Sequence, residues 1–378
     1  MKNFRKIIIL LSISIILPLN YASASDNKII DILSVNWANS TGQVDTKDIV
    51  SALSEEVIPF WLAYGKQNFV LGGVEKNVLN LSAPISCDTV KAGSTMTSIA
   101  KKYYSSKNEE QIGHYLIINS PDIKGCDWSG LGLQGFVTSQ SGVLILNANS
   151  IPEVIEHELG HNLGLGHDNL MSCPDYSNYN WDNCSEEPYA GGLDVMGSIP
   201  LDTPLSVYHQ WRLGILPTTD ILSVKNSSND FELYSPKLTS GLRALYIHDK
   251  GAVYLIEYLS PDLTKFAGLV VLRLDSQNDY NSGLSNSPFY NGNSLNEEWV
   301  INTGNYNYSS EPTGSYTTNN FITYDGNVTV SAEPNGNYAQ ILIQVKDPSK
   351  LYPMFPKSLA EQITKPLKNQ LKQKKTLL

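Results

Sequence analysis

The rhythm of apolar and polar residues changes partway along this chain. Up to about residue 220, apolar runs of strand length alternate with stretches of helical period. Ile29 to Val35 is β-branched and apolar, which predicts a first strand. From Asp45 to Tyr64, Ile49, Val50, Leu53, Val57, Ile58, Trp61 and Leu62 recur with a helical period and cover one face. Phe69 to Leu71 and Val78 to Leu81 read as short strands, Met96 to Tyr104 as a shorter helix, and His114 to Asn119 as a buried strand. A glycine-rich passage follows from Cys126 to Gly135. No Gly-Lys-Ser or Gly-Lys-Thr succeeds it, which argues against a phosphate loop. Gly142 to Asn147 predicts a strand before a helix that should begin near Ile151, with Pro152 in its first turn.

Beyond Leu222 the signal shifts to short alternating strands: Phe231 to Tyr234, Ala244 to Ile247, Val253 to Tyr258, Leu269 to Leu274, Val328 to Val330 and Ala339 to Val345. Turns rich in Asn, Gly and Ser separate them, a spacing that predicts a β-sandwich. Residues 275–320 read as a long loop. Asp275 and Asp279 offer carboxylates for calcium, but their spacing fits no EF-hand, so no motif supports that ion.

The chemistry concentrates in eleven residues, His157-Glu158-Leu159-Gly160-His161-Asn162-Leu163-Gly164-Leu165-Gly166-His167. On a helix, His157 and His161 lie four apart on one face and can present imidazoles to a single ion. Glu158, one step round, can sit beside a water rather than on the metal. Gly164 allows a backbone conformation closed to residues with a Cβ, so that His167 returns as third ligand. Three ligands leave a fourth position open, the mark of a catalytic rather than a structural zinc.

The spacing HExxHxxGxxH resembles the metzincin metallopeptidases. Asp194-Val195-Met196-Gly197-Ser198 is similar to their Met-turn, in which Met196 would pack beneath the ligands. Cys126-Asp127-Trp128-Ser129-Gly130-Leu131 and the segment Ser206 to Leu216 resemble the gametolysin-like branch, with Ile215 where that branch carries Trp. The resemblance spans about residues 29–217. It implies an α+β catalytic domain with a twisted sheet, a zinc helix and a Met-turn, and a cleft edged by the strand before the helix, on which an extended peptide pairs. Several metzincin branches place an oxyanion-binding Tyr where this chain has Ser198. Tyr189, Tyr208 and His209 are the nearby candidates for that role. Asp168 is expected to hold its turn by hydrogen bonding to backbone amides rather than to bind metal.

Lys2, Arg5 and Lys6, the apolar run Ile7 to Leu17, and Ala22-Ser23-Ala24 have the form of a cleaved export signal. The expected partition is residues 1–24 as signal peptide, 25–220 as catalytic domain, 221–347 as a β-sandwich-like domain and 348–378 as a basic, flexible tail. The expected role of the β-domain is to stabilise the catalytic one, with substrate or glycan binding as the alternative. Too few residues separate Ala24 from the first strand for an inhibitory pro-segment.

Four cysteines in an exported protein predict two disulfides. Of three connectivities, Cys87–Cys126 with Cys173–Cys184 is favoured. Export leaves about 24 basic against 37 acidic residues, which argues against nucleic acid as a partner. The tail reverses the balance, with seven lysines and one glutamate. Its Leu359, Ile363, Leu367 and Leu371 would form a stripe for a membrane or partner, but Pro366 interrupts the helix, and a solvated tail is the favoured reading.

The function expected is a secreted zinc endopeptidase, extracellular or periplasmic, acting on proteins or glycoproteins with one zinc per chain and Glu158 as general base. The alternative is a catalytically silent module of the same shape that binds extracellular glycoproteins. The sequence is silent on oligomeric state.

Overall fold

The computed structural model describes residues 27–135, 139–148, 151–173, 184–197, 204–249, 252–263, 267–274, 297–303, 317–352 and 354. The export signal, Ser198, Asp275, Asp279, most of the long loop and, Met354 apart, the basic tail beyond Tyr352 lie outside the described residues.

The first half is a sheet with helices on both faces. Its strands are β1 (Lys28–Asn36), β3 (Phe69–Val74), β4 (Leu79–Asn80), β5 (His114–Ser120), β7 (Gly130–Gly132) and β8 (Gly142–Asn147). They run in the order β3-β1-β5-β8-β7, with β4 also pairing with β1, and β2 (Ser40–Thr41) and β6 (Asp122–Ile123) form a separate ribbon. All pairings in the larger sheet are parallel except β7 against β8. Side chains along these strands alternate between two cores. Ile30, Ile32, Tyr115, Ile117, Leu144 and Leu146 face one, and Leu33, Val35, Leu116, Ile118, Val143 and Ile145 the other. Both faces are covered, so the strands read as unbroken apolar runs.

The first core is closed by α1 (Thr46–Ala52), α2 (Ile58–Ala63) and α4 (Pro152–Asn162). A π-turn at Leu53–Val57 joins α1 to α2 within what the periodicity presents as one helix. Pro59 has no N–H to give the carbonyl four residues back, and the widened turn falls where that bond would close. The second core is closed by α3 (Thr89–Lys107), which begins seven residues before the helix expected at Met96. Asp88 caps it, accepting from the Lys91 N–H at 3.0 Å. Its first buried positions are Ala92 and Gly93, too small to give a strong apolar signal.

The second sheet has the order β10-β9-β16-β15-β14-β13-β11. Here β9 is Asp168–Ser172, β10 Ser185–Glu187, β11 Ile221–Ser223, β13 Ala244–Asp249, β14 Ala252–Leu259, β15 Gly268–Arg273 and β16 Glu298–Ile301. Strand pairing therefore runs across residue 220. The third sheet, β12 (Ser228–Tyr234), β17 (Asn320–Ile322), β18 (Val328–Asn335) and β19 (Tyr338–Val345), is antiparallel in the order β12-β19-β18-β17. It shares a core with one face of the second sheet, where Tyr254, Ile256 and Val271 meet Phe321, Val330 and Ile341. The opposite face packs on α5 (Val207–Arg212) through Val207, Tyr208 and Trp211. The result is a mixed α/β architecture with several sheets and few helices. Among the described residues, no helix is long and apolar enough to cross a membrane.

Cys87 is bonded to Cys126 and Cys173 to Cys184. The first bridge ties the start of α3 to the segment leading into β7 across 39 residues. A Cys87→Ser, Cys126→Ser double variant is expected to lose about 2–4 kcal/mol of unfolding free energy, because the open loop gains entropy in the unfolded chain. Urea denaturation checks this, and an unchanged midpoint would show that the closure contributes nothing.

Candidate metal centre

Helix α4 begins at Pro152, whose ring fixes φ where no intrahelical N–H partner is needed, with Glu153 in the positively polarised first turn. Gly164, at φ +89°, turns the chain out of the helix toward β9 and leaves His167 facing back. His157, His161 and His167 each bring a ring nitrogen within 4.8 Å of the others, a set that could hold a metal ion.

Two of the three rings are held from behind by backbone carbonyls. His157 Nδ1 lies 2.8 Å from the Val195 carbonyl, and His161 Nδ1 lies 3.0 Å from the Leu165 carbonyl. A carbonyl only accepts, so both Nδ1 atoms carry the proton and both Nε2 atoms keep a lone pair. His161 Nε2 and His167 Nε2 stand 3.1 Å apart. Tetrahedral zinc with bonds of 2.0–2.1 Å separates its ligand nitrogens by about 3.3–3.4 Å, so this spacing suits a shared ion. Burial lowers the pKa of all three rings, that of His167 to about 4, which holds them in the neutral form that ligates.

Glu158 is 7% exposed. Burial pushes its pKa up to about 7, against the opposing effect of a Gly132 N–H that donates to its Oε2. This contact explains the glycines of β7. A Cβ on Gly130 would come within 2.8 Å of the Glu158 side chain, and one on Gly132 within 2.4 Å of the Glu158 carbonyl oxygen. The glycine-rich passage is thus an edge strand pressed against the helix. The strand that edges the cleft is β7 and not, as expected, the one directly before the helix, since β8 lies between β5 and β7. The cleft above the triad has a volume of about 750 Å³, and Trp128, Gly130, Gly132, Glu158 and Tyr189 are among the residues lining it.

Met196 is fully buried beneath α4. Gly160 makes room for it, because a Cβ there would lie 2.4 Å from the Met196 sulfur. Asp194 braces the same turn, accepting from the N–H groups of Met196 and Ser206, each at 2.8 Å, and from His209 Nδ1 at 2.7 Å. Asp194, His209 and Glu298 also form a compact buried group. Both Asp194 oxygens are engaged in these bonds, which join the group into a buried hydrogen-bonded network. Asp168 is buried and accepts the Leu193 N–H at 2.6 Å, so it ties β9 to the Met196 loop.

Of the three oxyanion candidates, only Tyr189 lines the cleft. Its ring centroid is 3.9 Å from that of His167 and 6.1 Å from that of His157. Tyr208 and His209 are buried against the second sheet and in the Asp194 network. Sequence reasoning missed Asn169 and Glu297. Glu297 Oε2 accepts from Asn169 Nδ2 at 2.7 Å and from the His167 N–H at 3.2 Å. These contacts span about 130 residues, and no local signal announces them.

No family model matches the sequence, and no curated relative does. Among solved structures, metalloproteinase-II from Bacteroides fragilis overlaps at a TM-score of 0.32 and 16% identity, over 51% of this chain and 54% of that one. The match spans about half the length of that protein.

Proposed function

We propose that this chain is a secreted zinc endopeptidase of the metzincin type, similar to the gametolysin-like branch, and that it cleaves extracellular proteins or glycoproteins. The observation that carries this reading is three imidazoles sharing one focus, with a buried carboxylate beside them in an open cleft. Nitrogen donors at this spacing suit zinc, and His157, His161 and His167 would hold it. Zinc held there would supply a Lewis acid for a scissile carbonyl and would lower the pKa of a water toward about 7.

Glu158 then accepts the proton of the attacking water and returns it to the departing amine. Peptide substrate fits the cleft because β7 ends its sheet among the described residues, offering main-chain groups to which an extended chain can add. Tyr189 is assigned as the donor to the developing oxyanion because, of the three candidates, it alone lines the cleft beside the triad; partial burial and then the Glu158 and Glu297 carboxylates raise its pKa, so the phenol keeps its proton. Met196 takes the Met-turn role. The two disulfides support export. The intact Glu158 favours an enzyme over a silent glycoprotein-binding module.

The test is a cleavage profile on a peptide library, read by mass spectrometry. Cleavage should vanish with a zinc chelator and return with added zinc. Tyr189→Phe should keep zinc and lower kcat about 10²-fold, the usual loss for one oxyanion donor. A zinc-loaded protein that cut no peptide would overturn the endopeptidase reading, and an unchanged kcat in Tyr189→Phe would remove the phenol from the mechanism.

A further inference from the structure

The third ligand differs from the other two in what stands behind it. His157 and His161 turn their Nδ1 atoms to backbone carbonyls of nearby turns. His167 turns its Nε2 toward His161, and its Nδ1 faces a carboxylate, with Glu297 Oε1 at 3.6 Å. That carboxylate arrives from far along the chain. Strand β16 pairs in parallel with β9, placing Glu298 opposite Asp168, and the Glu298 N–H reaches the His167 carbonyl at 3.1 Å. Glu297, one residue earlier, is thereby delivered beside His167.

The same carboxylate reaches further. Its Oε2 takes both the His167 N–H and the Asn169 amide. Asn169 Oδ1 in turn accepts the Tyr189 N–H at 3.0 Å. Tyr189 sits at φ +63°, a left-handed conformation uncommon for a residue with a bulky side chain. Strain of this kind, of order 1–3 kcal/mol, persists only where surrounding bonds hold it. Here it holds an aromatic ring over the third ligand. One side chain therefore accepts the His167 backbone N–H, stands 3.6 Å from its ring nitrogen and, through Asn169, holds the residue covering that ring.

We propose that Glu297 is a positioning residue of the metal centre, orienting His167 for ligation and fixing Tyr189 over it by way of Asn169. The proposal rests on the metal-centre reading above, and it makes β16 part of that centre. A carboxylate behind a ligating imidazole fixes its tautomer, and losing such a partner typically costs 10–100-fold in metal affinity. A glutamine at 297 keeps an oxygen for Asn169 and the His167 N–H. It presents either no negative charge or an amide N–H toward Nδ1, which does not stabilise the ligating tautomer.

Zinc affinity by competition with a chromophoric chelator, on the full chain, tests this without any substrate. Glu297→Gln should bind zinc 10–100-fold more weakly than the native protein, while its metal-free form unfolds at the same urea concentration. Glu297→Asp, which keeps the charge, should lose less. The visible spectrum of the cobalt-substituted protein should change in Glu297→Gln, reporting an altered third ligand. Equal zinc affinity in Glu297→Gln would overturn the proposal, as would a weaker affinity matched by an equal loss of metal-free stability. A native protein that holds no zinc would overturn the metal centre itself, and this role with it.

Discussion

Replacing Glu158 with glutamine is expected to lower peptide cleavage by about 10²–10⁴-fold while leaving zinc in place. The substitution preserves size, and the glutamine carbonyl can still accept the Gly132 N–H that now meets the Glu158 carboxylate. Glu158 also lies outside the convergent nitrogen set, so its loss removes no ligand. What disappears is a base able to take a proton from water and give it to the leaving amine. Metal analysis and initial rates on one cleaved peptide, measured on the same preparation, separate the two properties. Turnover within a few-fold of the native protein would remove Glu158 from proton transfer. Loss of zinc in the variant would instead show that the carboxylate belongs to the coordination shell.

The sequence was legible where a local rule decides the outcome. The triad follows from a four-residue helical step and a glycine turn, so its convergence is written in the spacing of His157, His161 and Gly164. The β1, β5 and β8 strands were legible because strands covered on both faces are apolar throughout. Reading failed where contacts are made at a distance or by absence of a side chain. In β7, the glycines that suppress a strand signal are there because a Cβ would collide with Glu158. The early turns of α3 bury Ala92 and Gly93, so their periodicity is nearly silent. Glu297 reaches His167 only because β16 pairs with β9, and nothing near either residue announces that pairing. The same pairing makes the C-terminal strands neighbours of the histidine triad, a relation invisible to any division of the chain by local rhythm.

The second large effect expected is on stability, from Asp194→Ala. Asp194 is fully buried, and its carboxylate serves three donors: the Met196 N–H, the Ser206 N–H and His209 Nδ1. Burial alone would raise its pKa, but His209 and these hydrogen bonds more than offset that and hold it below the usual carboxylate range. A depressed folded-state pKa means the stabilisation is complete above the unfolded value near 4 and is lost as pH falls through the lower one. Removing the side chain leaves two backbone N–H groups and the His209 ring without their acceptor in a dry interior, with Glu298 Oε1 at 3.3 Å as the ring's remaining acidic neighbour. Breaking a buried pair from one side typically costs about 3–5 kcal/mol. Urea unfolding at neutral pH should show a loss of that order, and the difference between native and variant should shrink as the pH is taken below about 4. Because Asp194 fixes the turn that carries Met196 under Gly160, zinc affinity should fall as well. A loss below about 1 kcal/mol would mean that Glu298 takes over the imidazole unaided, and that the turn beneath the ligands is held by its apolar packing rather than by this carboxylate.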